Sequence, residues 1–291
     1  MRLNDNFLGA GLMTCCVLAY VLNDAVMKLL FTEIDFFQAI FLRGLVSLPP
    51  LLILALITKT LMQKYSTKNQ RLMIIRILAE IGTTVTFLTA LKYMPLANVT
   101  AILQSLPLAI TMAAAIFLGE PVGWRRWSAI CIGFAGVLII IRPGLAGFSS
   151  YSLLALAAVI LLTVREISTR KLDSKIPTVT VALSTTVGTT AFAALMLIGN
   201  EWAEINLVSW SLIIAAAAAV TVATLLSVVA MRTGDIGFVS PFRYTSLIGA
   251  IGLGILLFGE WPDGITLLGA LIIAFAGIYS LYREQIFNKN V

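Results

Sequence analysis

The chain has 291 residues, 59% of them hydrophobic and only 12% charged, with a mean hydropathy of +0.99. A soluble domain carries about 25% charged residues to wet its surface, so a water-soluble fold is excluded. The net charge of +6, from 20 Lys+Arg against 14 Asp+Glu, has no polar domain to act from, and nucleic acid is excluded as a partner. Three cysteines inside apolar runs make no disulfide framework. The absence of histidine removes the commonest metal ligand, general base and neutral-pH proton switch together. No metal and no cofactor are expected.

Apolar runs of about 20 residues define bilayer spans. They predict ten helices, roughly at 7–31, 35–58, 70–91, 95–118, 125–142, 150–170, 176–199, 208–231, 236–258 and 264–283. The first run is too long for a cleaved signal segment and reads as a retained span. Turn chemistry separates the rest: Met94-Pro95, Gly119-Glu120-Pro121, Arg142-Pro143-Gly144, Ile176-Pro177, Gly234-Asp235 and Trp261-Pro262-Asp263-Gly264. Only 59–69 is a polar loop of any length. The five tryptophans fall near span ends, where they anchor at the interface.

Basic residues near span ends stay cytoplasmic. With the N-terminus inside, one side holds thirteen: Arg2, Lys59, Lys64, Lys68, Arg71, Arg125, Arg126, Arg170, Lys171, Lys175, Arg232, Arg283 and Lys289. The other side holds three, Lys28, Lys92 and Arg142. Both termini are therefore expected in the cytoplasm, with the protein in an inner membrane.

The halves match each other. Asp24 to Lys28 lies 142 positions before Glu166 to Arg170, and Lys92 lies 140 before Arg232. Gly119-Glu120 lies 140 before Gly259-Glu260, and Phe134-Ala135-Gly136 lies 141 before Phe275-Ala276-Gly277. Ordered anchors at a nearly constant offset indicate duplication, with repeats over 1–145 and 146–291. Five spans per repeat is an odd number, so the second enters the membrane upside down. The expected fold is all-α and integral to the membrane, with ten transmembrane helices in two inverted five-helix repeats around a central cavity. That is the architecture of alternating-access carriers.

The five-plus-five plan, with Gly119-Glu120-Pro121 and Gly259-Glu260-Trp261 closing the fourth span of each half, resembles the drug/metabolite transporter superfamily, EamA-type branch. So do Phe134-Ala135-Gly136-Val137 and Ser240-Pro241-Phe242-Arg243-Tyr244. The resemblance implies an inner-membrane carrier whose cavity is formed mainly by the first, third, fourth and sixth to ninth helices. It also implies export of amino acids and other metabolites, or uptake of nucleotide-related or vitamin-like compounds such as S-adenosylmethionine or riboflavin.

An ionised group at mid-bilayer costs about 2.5–3.5 kcal/mol on insertion scales, so each should face a partner or a wet cavity. Asp24 and Arg43 fall at similar depth on the first two helices, which predicts an ion pair, with Lys28 sharing the carboxylate or snorkelling outward. Mirror logic predicts a counterpart pair of Glu166 with Arg243, although Thr185 stands where the second half would need an equivalent of Arg43. Arg76 and Glu80 lie four apart, with Glu80 near the bilayer centre. Gln104, a turn before Pro107, and Tyr244, beside Pro241, add uncharged ligand candidates, and both prolines are hinge candidates. The substrate-binding set is thus Asp24, Lys28, Arg43, Glu80, Gln104, Glu166, Arg243 and Tyr244, each weighed against a structural ion pair or hydrogen bond. Glu120 and Glu260, at helix C-termini where the dipole disfavours a carboxylate, are expected to cap a following helix or loop amides.

Intramembrane cations outnumber anions, so an unpaired guanidinium is expected to meet a substrate carboxylate. The reading is a secondary carrier exporting an amino acid or related carboxylate-bearing metabolite, as a monomer or homodimer. No phosphate loop for ATP is present, and Asp24, Glu80 or Glu166 would carry any coupled proton. The rival classes are a non-transporting scaffold, which would more naturally have a soluble output domain, and an intramembrane enzyme, for which no nucleophile and base occur together.

Overall fold

A computed structural model describes residues 3–60, 65–145, 148–173, 175–233 and 236–289. Arg2, Lys64 and the Gly234-Asp235 turn named above lie outside these residues. The helices are α1 (Leu3–Glu33), α2 (Phe36–Ile57), α3 (Thr67–Tyr93), α4 (Leu96–Leu103), α5 (Leu106–Leu118) and α6 (Trp124–Ile141) in the first half. The second half holds α7 (Tyr151–Lys171), α8 (Thr178–Met196), α9 (Leu207–Arg232), α10 (Ile236–Val239), a 3-10 segment (Ser240–Tyr244), α11 (Thr245–Phe258) and α12 (Gly264–Lys289). Among the described residues, ten helical stretches are long and apolar enough to cross a membrane. The protein is a multi-pass membrane protein, built as two inverted five-helix repeats. Leu138, Ile248, Leu256 and Phe275 lie on its exposed apolar faces.

Polar side chains start several helices. Asp35 accepts from the N–H groups of Phe37 and Gln38, Ser66 from Asn69, and Asn206 from Ser209. The fourth span of each half ends at a left-handed glycine, Gly119 (φ 69°) and Gly259 (φ 65°), conformations that a Cβ would strain.

The helix partnerships cross between the halves. The broadest packing joins α1 to α9, α3 to α7, α6 to α12 and α2 to α8. Exchanging the halves turns the first pair into the second and returns the last two onto themselves. Consecutive helices α1 and α2 touch little. The α6–α12 seam is backbone-close: a Cβ on Gly136 would stand 2.9 Å from the Gly269 carbonyl oxygen, and one on Gly269 2.8 Å from that of Gly136. Between α2 and α8, Gly44 leaves room for the Thr190 side chain.

The fourth span departs from expectation. It is not one helix but breaks between Leu103 and Leu106, and its counterpart in the second half breaks into α10, the 3-10 segment and α11. Pro107 and Pro241 do not kink a continuous helix. Each sits in the first turn of the segment after the break, where its missing N–H has no partner to lose. At an offset of 140 the two breaks occupy equivalent places.

Candidate functional site

The charged side chains of the bundle gather where α3 packs on α7. Arg165 lies at the centre. Its Nη1 donates to Glu80 Oε2 at 2.8 Å, while Nη2 and Nε donate to Glu166 Oε1 at 2.6 and 3.1 Å. The three side chains keep 23–34% of their surface open, so they border a space instead of a sealed core. Arg76 does not pair with Glu80, one turn along its own helix. Its Nε donates to Thr169 at 2.9 Å and its Nη1 to Thr185. Arg165 reaches Glu80 from the facing helix and takes that carboxylate. The patch holds two guanidinium groups and two carboxylates, a neutral set.

Asp24 and Arg43 form a second group, differently from the expected ion pair. Asn23 donates to Asp24 Oδ1 at 2.9 Å and accepts from Arg43 Nη1 at 3.4 Å, so the two charges connect through an amide. The cause is the packing: α1 lies on α9 and α2 on α8, which leaves the two charges too far apart for direct contact. Lys28 does not share the Asp24 carboxylate either. It donates to Glu260 Oε1 at 2.5 Å and to the Met94 carbonyl at 2.7 Å, in the other half and across the fourth-span junction respectively. Asp24 is the one intramembrane carboxylate of the expected set with no direct ion pair among the described residues.

The expected Glu166–Arg243 pair is absent. Glu166 is held by Arg165, and Arg243 has an exposed side chain with no ion-pair partner among the described residues. Gln104 is committed to the backbone breaks: its Nε2 donates to Ser246 Oγ at 2.9 Å and to the Arg243 carbonyl at 3.2 Å, tying one broken span to the other. Tyr244 is buried, and its ring lies against Gly277, where a Cβ would stand 1.6 Å from its hydroxyl oxygen. That hydroxyl has no hydrogen-bond partner among the described residues.

Sequence reasoning missed Asn23, the link between Asp24 and Arg43, and Tyr20, whose hydroxyl lies 3.4 Å from that of Thr224. Both are polar groups in mid-span, the same signal that singled out Gln104. It also missed the reach of Glu260. The expected cap of a following helix or loop is replaced by two other contacts: Glu260 Oε2 accepts the Leu96 N–H at 2.8 Å, at the start of an earlier helix whose N-cap, Pro95, makes no side-chain cap, and Glu120 pairs with Arg170.

A profile described as the EamA-like transporter family matches residues 7–142 and again 149–283. The S-adenosylmethionine uptake transporter of Rickettsia bellii is 24% identical over 96% of this chain and 94% of its own. The riboflavin transporter of Vibrio cholerae is 31% identical over 68% of this chain and 67% of its own. The pseudopaline exporter CntI of Pseudomonas aeruginosa is 23% identical over 67% of this chain and 69% of its own. A crystal structure covering 96% of this chain and 97% of its own superposes with a TM-score of 0.60 at 19% identity, a likeness of fold.

Proposed function

The chain belongs to the EamA-like transporter family, and on that premise we propose that it takes up a small zwitterionic, carboxylate-bearing metabolite of the S-adenosylmethionine kind by alternating access. The membrane would be a bacterial inner membrane, with both termini in the cytoplasm as the basic-residue bias suggests. The observation that carries the reading is the charge inventory. Arg76, Arg165, Glu80 and Glu166 balance one another, Asp24 balances Arg43, and Lys28 is engaged by Glu260. Arg243 remains, exposed and without a carboxylate among the described residues. A guanidinium so placed binds a carboxylate with two parallel hydrogen bonds.

Uptake is preferred to amino-acid export because the relative aligned along nearly the whole chain is named for uptake, whereas the named exporter aligns over about two thirds. Riboflavin is the second reading, supported by the 31% identity to a riboflavin transporter. Asp24, the carboxylate without a direct cation partner, is the group assigned to proton coupling.

The test is accumulation of radiolabelled S-adenosylmethionine, and separately riboflavin, in proteoliposomes. Arg243→Ala, reconstituted at equal density, should lose S-adenosylmethionine uptake, and unchanged uptake removes the Arg243 role. Riboflavin accumulation alone moves the substrate to the second reading. Collapsing the pH gradient should abolish accumulation, and Asp24→Asn should keep exchange while losing it. Flux also separates the carrier from a scaffold or an intramembrane enzyme.

A further inference from the structure

Two ion pairs outside the central patch are images of each other. Lys28 and Arg170 correspond at an offset of 142, and Glu260 and Glu120 at 140. Lys28 of the first half holds Glu260 of the second, and Arg170 of the second holds Glu120 of the first. Both glutamates follow the left-handed glycine that ends a broken span. Glu260 touches Leu96, at the beginning of the first half's fourth span, and Glu120 follows that span's end, so the pairs lie at opposite ends of the bundle.

They are not equally made. Lys28 and Glu260 are 11% and 22% exposed, and the Glu260 carboxylate uses both oxygens, taking Lys28 at 2.5 Å and the Leu96 N–H at 2.8 Å. Lys28 adds a bond to the Met94 carbonyl. Three segments, α1, the α3–α4 junction and the end of α11, are thereby pinned together. Arg170 and Glu120 are 49% and 43% exposed and meet through one contact of 3.2 Å. No further partner of the Glu120 carboxylate occurs among the described residues. A charge-assisted bond shielded from water is much stronger than one in solvent, so one end is fastened and the other loose.

We propose that Glu260 and Glu120 are alternating latches, one at each mouth of the cavity, and that fastening one requires releasing the other. This rests on the alternating-access reading above. The breaks at 104–105 and 240–244 lie between the two ends of each span and let one end move without dragging the other. In the opposite state the Arg170–Glu120 pair, already in contact here, would be withdrawn from water and Glu120 would take the N–H of Ile236, the counterpart of Leu96, while Glu260 releases Leu96. Two packings related by the internal symmetry, differing by a few bonds at each end, form a bistable element.

The test reads distances between spin labels in purified full-length protein in lipid nanodiscs, with the three native cysteines replaced. One label pair, at Thr32 and Trp261, spans the fastened mouth. The other, at Pro121 and Lys171, spans the loose one. Glu260→Gln should lengthen the first distance and shorten the second, with the released fraction rising about tenfold, as loss of a charged hydrogen bond predicts. Glu120→Gln should leave the first distance short. Where Glu260→Gln does not fold, Lys28→Met reads the same latch. Unchanged distances, or a first mouth that opens without the second narrowing, overturn the proposal. The readout needs no substrate. Reciprocal distances in protein that transports neither S-adenosylmethionine nor riboflavin support the latches while overturning the substrate assignment, and flux without reciprocity overturns the latches alone.

Discussion

Replacing Arg165 with methionine removes the guanidinium while keeping a flexible apolar stem. Three hydrogen bonds to two carboxylates disappear, and Glu80 and Glu166 are left as like charges in a site that was built neutral. Arg76 can approach them only by giving up Thr169 and Thr185. Removing one partner of a fully buried pair costs about 3–5 kcal/mol. Here the side chains are 23–34% exposed, water shares the task, and about 2–3 kcal/mol is expected. For a chain of this size each kcal/mol moves the midpoint by about 2–4 °C, so Arg165→Met should unfold roughly 4–12 °C earlier, read from tryptophan fluorescence in detergent. Adding Glu80→Gln should then recover about half of the loss, because one orphaned charge is gone. A variant that melts with the wild type, or a double variant no better than the single one, refutes the account of the patch as a mutually neutralised set.

Gly269→Ala places a methyl 2.8 Å from the Gly136 carbonyl oxygen and 2.6 Å from Ile140 Cγ1, and should cost about 1–3 kcal/mol in the same melting assay. Gly252→Ala, with nothing within 4 Å, should be neutral or stabilising. Gln38 is fully buried, and its amide both donates to and accepts from the Ala203 backbone, at 2.9 and 3.0 Å. Gln38→Leu should therefore cost about 1–3 kcal/mol and speed hydrogen exchange at the Ala203 amide. Asp263 caps α12 through the Thr266 N–H at 2.7 Å and pairs with Arg142. Desolvation pushes its pKa up, but those two partners outweigh it and hold the carboxyl below its ordinary value of 3.8. The stabilisation is therefore complete above that value and is lost as pH falls below it. The melting gap between wild type and Asp263→Ala should stay level from about pH 8 to about pH 5 and close in stronger acid.

The ten spans and their division into five and five were legible because a bilayer allows few solutions: apolar runs of one length, closed by turn residues, repeated at one offset. The breaks in the fourth and ninth spans were half-legible. Pro107 and Pro241 marked the neighbourhood, but a proline that begins a segment and one that bends it look alike in sequence. The charge partners were not legible. Depth along a helix, which Asp24 and Arg43 share, says nothing about which helices adjoin, and packing across the halves sent Arg165 to Glu80 and Lys28 to Glu260. The alignment of the halves already matched Lys28 with Arg170 and Glu120 with Glu260. It matched them as equivalents, whereas the contacts run between non-equivalents, which two copies facing opposite ways make unavoidable.

Since the first helix of each half rests on the third helix of the other, neither five-helix unit owns a complete interior. Apart from Arg142, which pairs with Asp263, the stretch between Ile141 and Tyr151 serves as the covalent tie between them. Cutting the gene there and making the two fragments together should yield an assembled bundle. Either fragment made alone would present unmatched arginines and glutamates to lipid and be cleared by the cell's membrane quality control.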